Sequence, residues 1–240
     1  MKKLFGFILI SFMLACDNSL PDAELAEIDS FIQEAYYDDA VELYLREILS
    51  NPKHFNYNNP KLDETELNKI LSVFQAVHNL QIPETDTVFN FYNIHALRCN
   101  GTKSIVMHVN TEAPEIIKLA NGEIPTGNKQ LDTLLETYEF DSVHTSYSYP
   151  KFEWLSVNTD NTYNLLPIIK EFEKIPSIVL AENNGGCFDG NNIKLERGDD
   201  KTTIDFSIGR GDCPAGCMYR KHWVFEVQNG LAKLVKVYDR

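Results

Sequence analysis

The chain has 240 residues and carries 35 acidic against 22 basic side chains, a formal net charge of −13. That excludes nucleic acid as a ready partner, because phosphate contacts need a basic face, and anionic lipid headgroups would be repelled by the same surface. With 43% hydrophobic residues the chain can build a core, and its length fits one large domain or two small ones.

The first sixteen residues speak for export. Lys2 and Lys3 precede an apolar run, Leu4 to Leu14, which is too short to span a bilayer as a mature helix. The run ends in "MLAC", Met13 to Cys16, with a small residue before the cysteine and no other cysteine nearby. This resembles a bacterial lipoprotein signal, with Met13 standing where leucine is usual; an ordinary cleaved signal peptide is the alternative. The resemblance implies that residues 1–15 are removed and that the thiol of Cys16 is lipidated. The protein is then lipid-anchored at the cell envelope, with the outer membrane as the expected site. A single acyl chain binds a membrane only marginally, whereas two or three anchor stably. Residues 16–30 read as a lipidated tether, and "DNSLPDAELAE" (Asp17 to Glu27) is polar and acidic. Acidic residues just after the cysteine resemble the surface-export signals of Bacteroidota lipoproteins.

Residues 31–102 read as a helical N-terminal region. In "DDAVELYLREILSNP", Val41, Leu45 and Ile48 fall on one side and Asn51-Pro52 ends the helix. Asp63 caps a second helix, with Glu66 three residues on, and Leu67, Ile70, Leu71, Phe74 and Val77 keep helical spacing. "TVFNFYNIHAL" (Thr87 to Leu97) reads as β-like.

From Lys103 the periods alternate regularly. "SIVMHVN" is a strand. "GNKQLDTLLETYEF" is a helix with Leu131, Leu134, Leu135 and Tyr138 on one stripe. "SVHTSYSYP" and "KFEWLSVNT" are two strands. "NLLPIIKEFEKIP" is a helix capped by Asn164, with Leu165, Ile168, Ile169 and Phe172 as its apolar stripe, and "SIVLAEN" is a closing strand. The order β-α-β-β-α-β over 103–184 predicts a ferredoxin-like domain with both helices on one face of an antiparallel sheet. Its final "IIKEFEKIPSIVLAENN" resembles the end of subtilisin-type propeptides and their stand-alone inhibitor relatives, by pattern and not by an invariant motif. The resemblance implies a partner surface on the open sheet face and along the segment after the last strand, Glu182 to Gly186. The aromatic residues Tyr147, Tyr149 and Trp154, with Glu182, Asn183 and Asn184, are the candidate partner-binding set. The expected partner is a protein, a protease in the sharper version.

Residues 185–240 read as a C-terminal β region. "GGCFDGNNI" is a turn-rich link and "TTIDFSIG" a strand. "HWVFEVQNGLAKLVKVY" is a hairpin about Asn229-Gly230, with Trp223, Phe225 and Val227 alternating on one strand and Leu231, Val235 and Val237 on the other. The stretch "SIGRGDCPAGCMYRKHWVFEV", with "YYDDAVELYLREI" upstream, is similar to segments of secreted Bacteroidota proteins without an assigned activity. With Cys16 taken by lipid, the remaining Cys99, Cys187, Cys213 and Cys217 suggest two disulfides in an exported protein. Cys213 with Cys217 closes a local loop across "PAG", which leaves Cys99 for Cys187. Zinc pairs are usually spaced more tightly, and a redox CxxC has two intervening residues where this one has three. The tripeptide Arg210-Gly211-Asp212 that overlaps the motif is common by chance. The fold class is therefore α+β: a helical N-terminal segment, a ferredoxin-like βαββαβ domain and a disulfide-stapled antiparallel region.

No catalytic set emerges. There is no HExxH, GxSxG, P-loop or GxGxxG, and the six histidines are scattered. His108 and His144 fall on strands of one predicted sheet. "DGNN" from Asp189 lacks the spacing and closing glutamate of a calcium loop. No cofactor and no metal is expected. The function read from the residues is that of a non-enzymatic binding or assembly module.

Overall fold

A computed structural model describes residues 28–146, 153–186 and 188–240. The signal segment, Cys16, Tyr147, Tyr149 and Cys187 lie outside the described residues. The described chain is a mixed α+β structure with two four-stranded antiparallel sheets.

Helix α1, Ser30–Ser50, begins where the Asp29 carboxylate accepts the Ile32 amide at 2.8 Å. Helix α2, Glu64–His78, is capped in the same way by Asp63, at 2.9 Å from the Thr65 amide. The stretch Thr87 to Leu97, expected to be β-like, is helical over Thr87–Phe91 and irregular from Tyr92 on. Pro83 opens the short helix α3, Pro83–Asp86, which runs on into a π-helical turn over Thr87–Phe91. Adjacent Val88 and Phe89 are both buried while Phe91 is exposed, which a strand with period two cannot arrange.

The inserted unit follows. Strand β1 is Ser104–Val109, helix α4 Pro114–Ala120 and helix α5 Lys129–Thr137. Strands β2, Ser142–Ser146, and β3, Trp154–Asn158, lead to helix α6, Leu165–Phe172, and strand β4, Ile178–Asn183. The sheet order is β2-β3-β1-β4, every pair antiparallel. The crossover from β1 carries two helices where one is expected: α4, with Pro114 in its first turn, precedes α5. Ile116 of α4, Leu131 and Leu135 of α5, and Ile168 and Phe172 of α6 share one core with Ile105, Met107, Leu155 and Val157 of the strands. All three helices therefore cover the same face of the sheet. Ile169, expected among the most buried residues, is only partly so, whereas Leu134, Leu135 and Phe172 are buried.

Strands β5, Asn192–Arg197, β6, Thr202–Arg210, β7, Tyr219–Gln228, and β8, Leu231–Asp239, form a meander in chain order. The β7–β8 turn is the expected Asn229-Gly230, with φ values of 49° and 72°. The stripe on β8 is not the expected one. Ala232 stands opposite Val227 and Leu234 opposite Phe225, so these two pack inward, while Leu231, opposite Gln228, is exposed, as are Val235 and Val237; the register shifts by one residue at Val224/Phe225.

The N-terminal helices and this C-terminal sheet share a single core. Phe74 of α2 and Phe89 of the π-turn meet Phe206 edge-on at 6.0 and 5.4 Å, and Phe206 meets Phe225 at 5.9 Å. Each such fully buried ring contributes about 1.5–3 kcal/mol relative to exposure. Residues 104–183 are thus an insertion between the two halves of one unit. The chain leaves that unit and returns to it at one crossing. A Cβ on Gly185 would lie 2.5 Å from the Gly101 nitrogen and 2.8 Å from the Cys99 carbonyl oxygen, so the two strands touch there backbone to backbone.

Polar contacts fix the insertion to its host. The Asn164 side chain caps α6 through Leu166, and its amide faces the carbonyls of Asn56, Tyr57 and Asn59 at 3.4, 3.2 and 3.2 Å. Arg46 of α1 pairs with the buried carboxylate of Glu42 at 2.8 Å and donates to Leu97 O, Ile193 O and Asn192 Oδ1. Glu42 in turn accepts both nitrogens of Asn100 at 3.1 Å. Helix, crossing and first strand of the C-terminal sheet are therefore tied through one ion pair.

Candidate functional site: the open sheet face

Alternation along β1, β3 and β4 divides their side chains between two faces. Ile105, Met107, Leu155 and Val157 go under the helices. Val106, His108, Trp154, Ser156, Leu180 and Glu182 go to the other face, and none of them joins either core cluster. Register sets Trp154 and Leu180 on either side of His108, and Ser156 and Glu182 on either side of Val106. The His108 ring lies 5.0 Å from that of Trp154, and its Nε2 is 4.0 Å from the Glu153 carboxylate. A register irregularity between His108 and Val109 leaves Val179 without a partner on β1, and Val179 is 65% exposed. The result is an apolar-aromatic row rimmed by Glu153 and Glu182.

The structure brings together part of the expected set. Trp154 and Glu182 belong to this face. Asn183 does not join this face, because it pairs with Ile105 and so lies on the helix-covered side; Asn184, just past the strand, is bound to Ser104 by N–H to O at 2.9 Å and by Nδ2 to Oγ at 3.2 Å. The segment after β4 is solvent-facing on one side, yet its backbone rests against residues 99–101 at the crossing. His108 and His144 share this face but are separated by β3 and by two residues of register, a distance of about 12 Å.

Cys213 and Cys217 form a disulfide. Cys99 is disulfide-bonded as well, while its expected partner Cys187 lies outside the described residues. The "DGNN" loop is used for structure. Asp189 accepts the Cys217 amide at 2.7 Å and pairs with Arg220, and these hydrogen bonds hold its carboxyl below the ordinary value. Asn192 Oδ1 accepts from Arg46, Leu97 and Ile193.

Two aspartate–histidine pairs escaped sequence reasoning, because each joins residues of distant or alternating strand positions. Asp39 is wholly buried and meets His95 Nδ1 at 2.7 Å as well as the Ala96 amide. Asp205 meets His222 Nδ1 at 2.9 Å, and the His222 ring stacks on Tyr238 at 4.5 Å. Burial raises the Asp205 carboxyl above its ordinary value, against the opposing pull of His222. No group of three or more metal-ligating side chains occurs among the described residues, and no described helix is long and apolar enough to cross a membrane. No protein-family model, curated protein or solved structure matches this chain.

Proposed function

We propose that this protein is a membrane-anchored bacterial lipoprotein, held through Cys16, that acts as a non-enzymatic binding or assembly module at the cell envelope and docks its partner on the open face of the inserted sheet. The observation that carries the reading is the asymmetry of that sheet. One face is closed by α4, α5 and α6, whereas the other presents Trp154, His108, Leu180 and Val179 outside either core. We read the inserted unit as ferredoxin-like; the antiparallel order β4-β1-β3-β2 and the helices on one face support this, with α4 as an addition to the pattern. The non-enzymatic reading draws on how the acid–base pairs are employed: the Asp39 carboxylate is consumed by Ala96 and His95, and His95 stacks on Tyr36.

Inhibition of a subtilisin-type protease is the second reading, favoured by the strand order alone. An inhibitor of that type lays the segment after its last strand along the active-site cleft as an added strand. Here that segment is bound to Ser104 and packed on residues 99–101, which leaves its backbone less able to do so.

Cell fractionation tests the anchoring. Wild type should sediment with membranes and Cys16→Ser should move to the soluble fraction; equal sedimentation of the two would remove the lipoprotein reading. Incubation with a subtilisin-like protease separates the second reading, since slow tight-binding inhibition would replace the general binding module with an inhibitor.

A further inference from the structure

We infer that the far end of the C-terminal sheet is a binding cleft for a small ligand bearing an oxyanion, a phosphate or carboxylate, beside a flat apolar face. This surface is separate from the open sheet face, and the inference does not depend on that reading. Beyond the helical layer, an open cleft of about 560 Å³ is lined by Tyr92, Tyr219 and Asp239 and by the cations Arg210, Arg220, Lys221 and Arg240. In a chain of net charge −13 these residues bring four cationic side chains against the carboxylate of Asp239, and one of the four, Arg220, is paired with Asp189.

The cations are set in place. Arg210 Nη2 donates to the Tyr92 hydroxyl at 3.2 Å, which fixes the guanidinium while leaving its remaining donors for a ligand. The Tyr92 ring packs on Trp223 at 5.7 Å, and the Lys221 ammonium sits 5.4 Å over that same Trp223 ring. Arg210, Lys221 and Arg240 form no ion pair with a carboxylate among the described residues, in contrast to Arg220, which Asp189 neutralises. Arg210 faces Tyr219 across β6 and β7, and Lys221 lies two residues beyond Tyr219 on the same side of the strand. Long side chains at such diagonal positions reach a common point. A guanidinium fork and an ammonium lining the same cleft suit a tetrahedral or planar oxyanion.

The walls supply the second half of the recognition. Tyr219 is 65% exposed, and Tyr92 lines the cleft beside it. These rings offer flat apolar surface to a ligand that lies across the cations. The disulfide now has a use. Arg210 and Tyr219 are the last and first residues of their strands, and the loop between them is closed by Cys213–Cys217 and tethered by Asp189 to the Cys217 amide and Arg220. The staple holds both sides of the cleft at a fixed separation.

The test uses the full chain in non-ionic detergent with Trp154→Phe, so that Trp223 at the base of the cleft is the single reporter. Phenyl phosphate, benzoate, inorganic phosphate and neutral benzyl alcohol are titrated by fluorescence and by calorimetry. Phenyl phosphate should bind saturably and more tightly than inorganic phosphate, benzyl alcohol should not bind, and the benzoate arm reports whether a carboxylate serves in place of phosphate. Arg210→Gln and Lys221→Gln should each weaken phenyl phosphate about tenfold, the loss of one charge-assisted contact. Lys233→Gln, on the outer face, should leave it unchanged. Absence of saturable binding by calorimetry, benzyl alcohol binding as well as phenyl phosphate, or unchanged affinity in both folded charge variants would overturn the inference.

Discussion

Single side chains in this protein carry more than one duty, and their substitutions should show it. Arg46 is the clearest case, because Glu42 is only 3% exposed beside it. Arg46→Met would leave that carboxylate buried without its partner. Breaking such a pair costs about 3–5 kcal/mol, which a urea unfolding series should read as a lowered midpoint. Asn164 separates capping from docking. Asn164→Asp keeps the cap oxygen for Leu166 but sets a carboxylate against three carbonyls, and Asn164→Ala loses the cap and leaves those carbonyls unmet. The aspartate variant should be the less stable of the two at neutral pH and should recover on acidification. Other carboxylates set the acid limit of the whole chain. Hydrogen bonds from Lys201 and Lys233 lower the Glu226 carboxyl from 4.5 to about 2. Burial raises Asp29, but hydrogen bonds from the Ile32 amide and Gln75 outweigh it, and Asp29 lies below its ordinary value of 3.8. Groups depressed in this way contribute stability that is fully present above their unfolded values and is lost as the pH falls through the folded ones. The unfolding midpoint should therefore begin to drop below pH 4.5 and continue falling toward pH 2. Asp205, raised by burial, works in the opposite sense, and its protonation relieves part of that loss.

Elements show how far the sequence could be read. Helices α1, α2, α5 and α6 were legible because their apolar residues recur at three and four and because Asp63 and Asn164 announce their starts. The hairpin at Asn229-Gly230 was legible from two residues. The π-turn at Thr87–Phe91 was not, because its alternating letters imitate a strand and only the joint burial of Val88 and Phe89 tells them apart. The β8 stripe was not legible, because it follows from Ala232 and Leu234 standing opposite Val227 and Phe225, a register that the letters do not announce. In the candidate site, Trp154 and Glu182 could be assigned to one sheet from period two, but the His108 contact and the exposure of Val179 depend on register, which sequence alone does not set. The disulfide loop at 213–217 offers a test at this scale. Replacing both cysteines by alanine should lower stability by about 2 kcal/mol through the unfolded chain's entropy, read as a shift in the thermal midpoint. Gly209→Ala should damage the same loop, because the added Cβ would lie 2.1 Å from Cys217 Sγ.

At the scale of the molecule, a host core made from both ends of the described chain carries a second core inserted between them. The halves meet at the Gly101–Gly185 crossing, at Asn164 and at Arg46, so the inserted sheet is held on a fixed mount, and no described helix packs on the face that carries Trp154 and His108. The sequence suggested separate segments in chain order; it could not show that the first and last share a core, because the contacts of Phe74 and Phe89 with Phe206 join residues more than a hundred positions apart. The central claim is that the open face engages a partner at the envelope. Site-specific photocrosslinking in intact cells tests it most directly, with p-benzoylphenylalanine placed at Leu180 on the open face or at Glu136, an exposed position on helix α5 of the covered face. The account predicts a discrete crosslinked adduct from position 180, lost when Cys16→Ser is combined with it, and none from position 136. Equal adducts from the two positions, or none from position 180, would contradict it.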